Sequence, residues 1–287
     1  MLNALTIDVE DYFHVTAFDR YVKRDDWDRY PLRVEDNTMR VLDLLDEFDL
    51  QATFFILGWV AERLPHLVRT IRDRGHEIAS HGYGHELIYR IGPDRFRADI
   101  QRSKRLLEDI CGAAVNGYRA PSYSITKKSL WALDILIEEG FTFDSSIFPV
   151  YHDNYGIPDA PRFPHRIERE GGTITEFPLT TYPVRWGRKE YRLPIAGGGY
   201  LRLFPAGLVR GGMQRINALE GQPAVLYFHP WEIDPGQPRI QAGIKSRIRH
   251  YLNLQKTEAK LRELFRAMRF GTMGQALAGA PAVVQGM

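Results

Sequence analysis

The sequence has little cysteine and no excess of charge of one sign. Cys111 is its single cysteine, so an internal disulfide and a metal site built from several cysteines are excluded. The 38 Lys and Arg residues nearly balance the 36 Asp and Glu residues, which leaves a net charge of +2. Such a chain has no general electrostatic reason to bind nucleic acid or an anionic membrane. Neutral partners are therefore expected, and nucleic acid is not.

Long hydrophobic runs are also missing. Nowhere do about 18 apolar residues follow one another, as a transmembrane helix requires. Met1 leads directly into Leu2, Ala4 and Leu5, without the basic stretch and apolar run of a secretory signal peptide. We therefore expect no integral membrane span and a cytoplasmic protein, with peripheral attachment to the inner membrane as an open alternative.

What the chain does contain is an alternation of short apolar runs and longer amphipathic segments. Hydrophobic residues make up 44% of the 287, which is enough for a packed core. Short runs that alternate with segments of helical spacing are typical of βα units. Seven runs have the character of strands: residues 5–9, 52–57, 78–79, 115–118, 141–143, 173–177 and 224–228. The pattern predicts an α/β protein with a barrel-like series of seven strands.

The regular alternation breaks in a stretch rich in proline, glycine and aromatic residues. We interpret residues 149–205 as an insertion within one barrel domain that spans residues 1–270. Apolar residues at loosely helical spacing predict a C-terminal helical extension over about residues 241–269. The Gly- and Ala-rich residues 271–287 are expected to form a flexible tail.

Polar residues cluster at the carboxyl ends of the predicted strands. Five strands are followed by such residues: Asp8, Glu10, Asp11, His81, His85, Arg119, Asp144 and His229. Barrel enzymes place their active sites at this end. The distribution predicts one site to which several strands contribute.

Two imidazoles and several carboxylates suggest a metal. His81 and His85 are four residues apart, a spacing that suits one metal ion, although two surface histidines are an equal alternative on that fact alone. Asp8 and Glu10 lie on the same side of an extended chain, so one can bind metal while the other stays free. Two imidazoles and one carboxylate are a ligand set for catalytic zinc, with an open position for water. The alternative is that Glu10 or Asp11 merely caps the following segment.

Three further residues suit acid and base chemistry. Asp8 is our candidate base for a metal-bound water, and Arg119 would orient its carboxylate. His229 ends an otherwise apolar strand, where an imidazole without a partner is costly. Alone it would more often be a core histidine. Together with the other residues it is our candidate general acid.

The order of these motifs resembles a known family. The motifs are Thr6-Ile7-Asp8, His81-Gly82-Tyr83-Gly84-His85, Arg119-Ala120-Pro121, Asp144-Ser145-Ser146 and Leu226-Tyr227-Phe228-His229. They are similar to the five motifs of the NodB-like polysaccharide deacetylases, carbohydrate esterase family four. The resemblance implies a distorted (β/α)7 barrel and metal-dependent removal of N-acetyl groups from sugar chains. It also implies Asp8 as base, His229 as general acid, and His81 and His85 as metal ligands.

The sequence departs from the family pattern in the first and third motifs. The family has adjacent aspartates, base then ligand, whereas Val9 follows Asp8 here. We therefore expect Glu10 as the third ligand, with Asp11 as the alternative. Ser122 occupies the family position whose backbone N–H helps to form the oxyanion hole, and a backbone donor survives substitution. Expected substrate-pocket residues from the same motifs are Tyr123, Asp144 and Trp231.

The expected function follows from this resemblance. It is a hydrolase that removes N-acetyl groups from an oligosaccharide or polysaccharide with the help of one divalent ion. Zn²⁺ is the expected ion, and Co²⁺, Ni²⁺ or Mn²⁺ are the alternatives. Residues 196–205 and 249–254 resemble a subgroup linked to exosortase-associated exopolysaccharide export, which implies association with such an assembly system. Two alternatives stay open: a cyclic imide or ureide hydrolase on the same scaffold, and a non-catalytic glycan-binding module.

Overall fold

Twelve strands occur in residues 1–152, 155–187, 189–281 and 284–285, the part of the chain that the computed structural model describes. They are β1 (Asn3–Val9), β2 (Thr53–Ile56), β3 (Glu77–Ser80), β4 (Gly117–Tyr118), β5 (Phe143–Asp144), β6 (His165–Arg169), β7 (Gly172–Glu176), β8 (Thr181–Trp186), β9 (Lys189–Pro194), β10 (Val225–Phe228), β11 (Phe270–Gly271) and β12 (Val284–Gln285).

Ten α-helices are found in the same described ranges. They are α1 (Val34–Asp46), α2 (Gly58–Arg63), α3 (Pro65–Asp73), α4 (Ile88–Cys111), α5 (Trp131–Glu138), α6 (Gly198–Leu203), α7 (Ala206–Arg215), α8 (Ile244–Tyr251), α9 (Leu254–Ala267) and α10 (Met273–Ala278). None of these helices is long and apolar enough to cross a membrane.

The central sheet contains the seven strands that the sequence predicts. Their order is β10, β1, β2, β3, β4, β5 and β7, and each neighbouring pair is parallel. β6 extends the sheet antiparallel to β7, and β11 adds to β1. The predicted α/β class is confirmed. Because the seven strands are parallel, their carboxyl ends meet at one edge, which brings the polar residues of the motifs together.

The barrel is distorted between β7 and β10. There the Thr180 hydroxyl replaces a strand ladder: it accepts a hydrogen bond from Val225 N at 2.6 Å and donates one to Val225 O at 2.9 Å. Gly197 forms a parallel bridge with Tyr227 beside β10. A Cβ at Gly197 would lie 1.8 Å from the Tyr227 ring, so only glycine permits this approach.

The residues predicted as an insertion form a hairpin and two further strands. β8 and β9 pair antiparallel, apart from the main sheet. β6 and β7 precede them within the same stretch and belong to the sheet, as predicted for the strand at residues 173–177. Asp153, Asn154 and Arg188 of this stretch lie outside the described residues.

The predicted C-terminal helical extension consists of two helices, α8 and α9, with a break between them. α8 ends at Tyr251, Leu252 is extended, and Asn253 has a left-handed backbone with φ of 57° before α9 begins. Asparagine tolerates this conformation better than most residues. Its side-chain amide also donates to the carbonyl oxygen of Arg202 at 3.0 Å, which ties the break to α6.

The expectation of a flexible tail is wrong for its first part. α10 begins with a capping box in which Thr272 Oγ1 accepts from Gln275 N at 3.1 Å and Gln275 Oε1 accepts from Thr272 N at 3.0 Å. Met273 is fully buried, and its amide donates to Thr53 Oγ1 at 2.7 Å. α10 therefore packs at the amino edge of β2. Residues 282, 283, 286 and 287 of the predicted tail lie outside the described residues.

Candidate metal centre and active site

Glu10, His81 and His85 bring three potential metal ligands together. One donor atom from each lies within 4.8 Å of the other two, and all three residues are buried. Glu10 Oε2 is 2.8 Å from His85 Nε2. His81 Nδ1 lies 2.8 Å from the carbonyl oxygen of Arg119, which can only accept, so Nδ1 carries the proton and Nε2 has a lone pair to offer.

The charge states of His81 and Glu10 fit a divalent cation. Burial lowers the pKa of His81 to about 4, so its imidazole is neutral at pH 7. Burial alone would raise the pKa of Glu10, but His85 and His229 outweigh burial and lower this pKa below its usual range. Neutral imidazoles and an ionised carboxylate are the forms that bind such a cation.

The loop that carries both histidines is shaped by Asp99 of α4. Asp99 Oδ2 accepts a hydrogen bond from Tyr83 N at 2.7 Å, and Oδ1 accepts one from Gly84 N at 2.9 Å. Gly82 has φ of 73°, and a Cβ there would lie 2.8 Å from Asp99 Oδ2. The glycine thus makes room for the carboxylate. The sequence analysis missed Asp99, because nothing in its spacing distinguishes it from any acidic residue of an amphipathic helix.

The structure separates Asp11, the alternative ligand, from the cluster. Its Oδ2 accepts hydrogen bonds from Arg33 N at 2.7 Å and Val34 N at 2.9 Å, where α1 begins, and its Oδ1 accepts one from Tyr12 N at 2.9 Å. Burial raises the pKa of Asp11 to about 6 in spite of these hydrogen bonds. Its oxygens are engaged in the capping role that the sequence analysis kept as an alternative.

Asp8 and Arg119 form a buried ion pair next to the cluster. Arg119 Nη1 donates to Asp8 Oδ1 at 2.6 Å and to Thr6 Oγ1 at 2.9 Å. Its other donors reach Ser145: Nη2 to Oγ at 3.0 Å, and Nε to the carbonyl oxygen at 3.2 Å. The guanidinium is fully buried, and this set of hydrogen bonds fixes the position of the Asp8 carboxylate.

His229 faces two carboxylates, that of Asp8 in β1 and that of Glu10, the residue that follows β1. Its Nε2 lies 3.5 Å from Glu10 Oε1 and 3.9 Å from Asp8 Oδ2. Burial lowers the pKa of His229, but Glu10, Glu232 and Asp8 outweigh burial and raise it to about 9. The side chain is 16% exposed, whereas those of Asp8, Glu10 and His85 are 4% exposed or less. His229 is thus the member of this group that a substrate reaches most easily.

A chain of buried ion pairs holds the other side of His229, and sequence reasoning missed it. Glu232 Oε1 bonds to His229 Nδ1 at 2.6 Å, and Arg202 Nε donates to Glu232 Oε2 at 2.7 Å. Arg202 also donates from Nη1 to the carbonyl oxygen of His250 at 2.6 Å. The position of Glu232 three residues after His229, as in a capping box, was a readable signal. The contribution of Arg202 from α6 left no such signal.

Trp231 packs beside Glu10 and His229 of the candidate site. Its indole N–H donates to Glu10 Oε1 at 3.3 Å. Its ring stacks between His229 at 5.1 Å and His250 at 4.2 Å, measured between ring centroids. The two stacked contacts hold the indole in place, so it forms one wall beside His229.

Tyr123 and Asp144 lie near the site but pack internally. The Tyr123 ring makes edge-to-face contacts with Tyr227 at 5.2 Å and Phe148 at 5.5 Å. Asp144 is fully buried, its Oδ1 accepts from the Ser146 hydroxyl at 2.5 Å, and it lies opposite Glu176 in the register of β5 and β7. Asp144 therefore faces the interior rather than a substrate pocket.

Ser122 lies in the turn that follows β4. Its φ of 51° and ψ of 30° are left-handed, and the next residue, Tyr123, also has a positive φ of 54°. The Ser122 hydroxyl hydrogen-bonds to that of Thr16. This contact anchors the turn.

Two family models match the chain, each over part of its length. One, described as polysaccharide deacetylase, matches residues 23–136, and the other, described as a domain of unknown function (DUF3473), matches residues 145–278. The second match contains His229 and the strands β6, β7, β10 and β11, which belong to the same sheet as β2, β3 and β4 of the first match. β1 and β5 of that sheet lie outside both matches.

Known proteins resemble the chain in sequence and in fold. A peptidoglycan-N-acetylglucosamine deacetylase of Bacillus cereus is 34% identical over 98 residues, and the chain matches 36% of that enzyme's length, with 34% of its own. A putative polysaccharide deacetylase from Mycobacterium smegmatis superposes with a TM-score of 0.63 over 100% of this chain and 92% of that one, at 21% identity. An allantoinase superposes with a TM-score of 0.58 over 94% of this chain and 86% of its own, at 14% identity. At these identities the two superpositions show a shared fold only.

The position of the metal loop is expected to depend on Asp99. In an Asp99→Asn variant one oxygen is lost as an acceptor for the amides of Tyr83 and Gly84, so the histidines lose their fixed geometry. We expect Zn²⁺ affinity to fall about 10–100-fold, as for other residues that orient metal ligands. Isothermal titration of the metal-free protein measures this. Asp109→Asn, on the same helix, serves as the control, and an unchanged affinity in Asp99→Asn would contradict the assignment.

The pKa of His229 is expected to depend on Glu232. In Glu232→Gln the negative charge beside Nδ1 is lost, so the imidazolium is less stable and the pKa falls from its raised value of about 9. The alkaline limit of the charged form then moves to lower pH. An NMR titration of the imidazole in metal-free protein measures the shift, with Glu258→Gln as the control. A pKa equal in the Glu232 variant and wild type would show that this carboxylate does not act on His229.

Proposed function

We propose that the chain is a polysaccharide deacetylase of the family whose model matches residues 23–136, and that it hydrolyses the N-acetyl groups of a glycan. The observation that supports this most directly is the convergence of Glu10, His81 and His85 beside an Arg-bound Asp8 and a carboxylate-bound His229. The sequence match to a glycan deacetylase points to the same class of substrate.

The proposed metal ligands are Glu10, His81 and His85. Zn²⁺ is the favoured ion, since two imidazoles and a carboxylate are a frequent ligand set of catalytic zinc, with Co²⁺, Ni²⁺ or Mn²⁺ as alternatives. When bound, the ion supplies Lewis acidity toward the acetamide carbonyl and lowers the pKa of water. The remaining steps are carried by side chains of the chain itself.

Asp8 acts as the general base. Its carboxylate takes a proton from the water that attacks the acetamide carbon, and Arg119 holds it in place for that transfer. The backbone N–H of Ser122 is proposed to stabilise the negative charge that develops on the carbonyl oxygen. Because the donor is part of the backbone, the serine side chain is not required for this role.

His229 acts as the general acid. The carboxylates of Glu232 and Asp8 favour the protonated imidazole, which donates from Nε2 to the amide nitrogen as the C–N bond breaks. The nitrogen then leaves as a neutral amine, and acetate and an amino sugar are the products. Glu232 holds Nδ1 on the far side, which leaves Nε2 as the donor.

Two other functions stay open and can be distinguished from deacetylation by assays of product release and of metal content. The fold shared with an allantoinase keeps hydrolysis of a cyclic imide or ureide as a second candidate. A non-catalytic glycan-binding module would have no need for the complete set of Asp8, Arg119 and His229. Association with an exopolysaccharide assembly system stays a prediction from the sequence resemblance, and the cytoplasmic location stays a prediction from the missing signal-peptide pattern.

Loss of either key histidine is expected to abolish turnover. We expect His81→Ala to remove metal together with activity, and His229→Ala to keep the metal but lower kcat by about 10²–10⁴-fold. The measurement is acetate release from acetylated chito-oligosaccharides and peptidoglycan fragments by zinc-loaded protein, with elemental analysis of each variant. The exposed His66, which bonds to Glu35, provides the control His66→Ala.

The contradicting outcomes differ between the hypotheses. Full activity in both variants would reject the assigned roles. Turnover of a cyclic imide without acetate release would favour the second candidate. Oligosaccharide binding by wild-type protein that holds no stoichiometric metal would favour the binding module.

A further inference from the structure

The outer face of α8 carries a row of exposed aliphatic side chains. Ile244 is 75% exposed, Ile248 is 57% exposed, and Leu252, just after the helix, is 38% exposed. Ile244 and Ile248 are four residues apart on the helix and lie on the same face, and Leu252 lines the same groove, so the three form one row. Large aliphatic side chains grouped on one surface, with polar groups around them, mark interaction sites.

The row borders an open groove of about 460 Å³. Its lining residues are Arg239, Ile244, Arg247, Ile248, Tyr251 and Leu252. The guanidinium of Arg239 lies over the Tyr251 ring at 4.2 Å, and the Tyr251 hydroxyl accepts from Ile240 N at 2.8 Å. The groove therefore joins an apolar wall to a cation whose position is fixed by packing.

The same segment is strongly basic. No Asp or Glu occurs between Asp234 and Glu258. The Lys and Arg residues in that interval are Arg239, Lys245, Arg247, Arg249 and Lys256. The net charge of the whole chain is near neutral and gave no reason to expect binding to an anionic membrane. It does not show this local concentration of positive charge.

We propose that the outer face of α8 docks the protein onto an anionic phospholipid bilayer. The aliphatic row enters the headgroup region, and the flanking basic side chains contact lipid phosphates. Helices that lie in a membrane interface combine these two features, an apolar face and a polar face rich in Lys and Arg. Each basic residue near such a surface adds to binding, and salt weakens that part.

The inner face of α8 connects this surface to the candidate site. His250 stacks on Trp231, and Trp231 donates to Glu10. α8 thus belongs to the carboxyl edge of the barrel, where the metal cluster lies. A bilayer on its outer face would lie beside the catalytic edge rather than across the molecule from it. The docking surface stands independently of the proposed deacetylation.

A polyanion such as RNA is the competing ligand, and the isoleucines distinguish the two. RNA would use the basic side chains alone, whereas insertion into a bilayer requires the aliphatic row. The exposed aliphatic row therefore favours lipid over nucleic acid as the ligand.

The test is co-sedimentation with lipid vesicles. Wild-type protein is expected to bind vesicles that contain phosphatidylglycerol and not vesicles of phosphatidylcholine alone, with weaker binding at high salt. Ile244→Ser/Ile248→Ser is expected to lower the partition coefficient about tenfold or more, because the variant has lost two aliphatic side chains that would be buried in the bilayer. Lys245→Glu/Arg247→Glu is expected to lower it to a similar extent.

The control is an equally exposed leucine at the other end of the barrel. Leu219 is 72% exposed, and its neighbour Asn217 donates from Nδ2 to Asn3 Oδ1 at 2.8 Å, at the amino edge of β1. Leu219→Ser should bind like wild type. Thermal melts verify that each variant is folded, and Leu252→Ser replaces the double variant if that one does not fold.

Two results would overturn the proposal. One is wild-type protein that stays in solution with phosphatidylglycerol vesicles at low salt. The other is binding that survives the isoleucine changes and is matched by binding to a single-stranded RNA, which would identify a surface for polyanions. Both can be obtained whether or not the protein releases acetate from any glycan.

Discussion

Arg119 is the residue on which the geometry of the site depends, because it acts through both its side chain and its backbone. Its guanidinium holds Asp8 and is satisfied by Thr6 and Ser145, while its carbonyl oxygen fixes the ring of His81. A buried guanidinium is costly unless it is paired and hydrogen-bonded throughout. One residue at the end of β4 thus links the candidate base to a candidate metal ligand, and neither can move without the other.

The second half of the chain completes this arrangement from the opposite side. His229 ends β10, and Glu232 and Arg202 hold it through a line of buried charges that runs into α6. All three residues lie within the region matched by the domain of unknown function. That region contributes β7 and β10 to the same sheet as the strands of the deacetylase match and carries the candidate acid. β1, the residue after it and the region matched by the deacetylase model carry the candidate base and the candidate metal ligands.

Much of this could be predicted from the sequence, and what could not has a physical reason. Seven parallel strands follow from the alternation of apolar runs, and polar residues at their carboxyl ends mark the site. The contributions of Asp99 and Arg202 come from distant helices, where one charged residue looks like any other. The break at Asn253 depends on a contact with another element, which spacing does not reveal. The capping box formed by Thr272 and Gln275 could have been identified from the sequence, but the Gly- and Ala-rich composition around it indicated a flexible end.

The central claim is that side chains far apart in the chain hold one divalent cation, with Glu10 rather than Asp11 as the carboxylate ligand. Zinc stoichiometry of wild type, Glu10→Gln and Asp11→Asn, measured by elemental analysis after dialysis, tests it most directly. We expect one equivalent of zinc in wild type and in Asp11→Asn, and loss of the metal in Glu10→Gln. Metal retained in Glu10→Gln and lost in Asp11→Asn would contradict it.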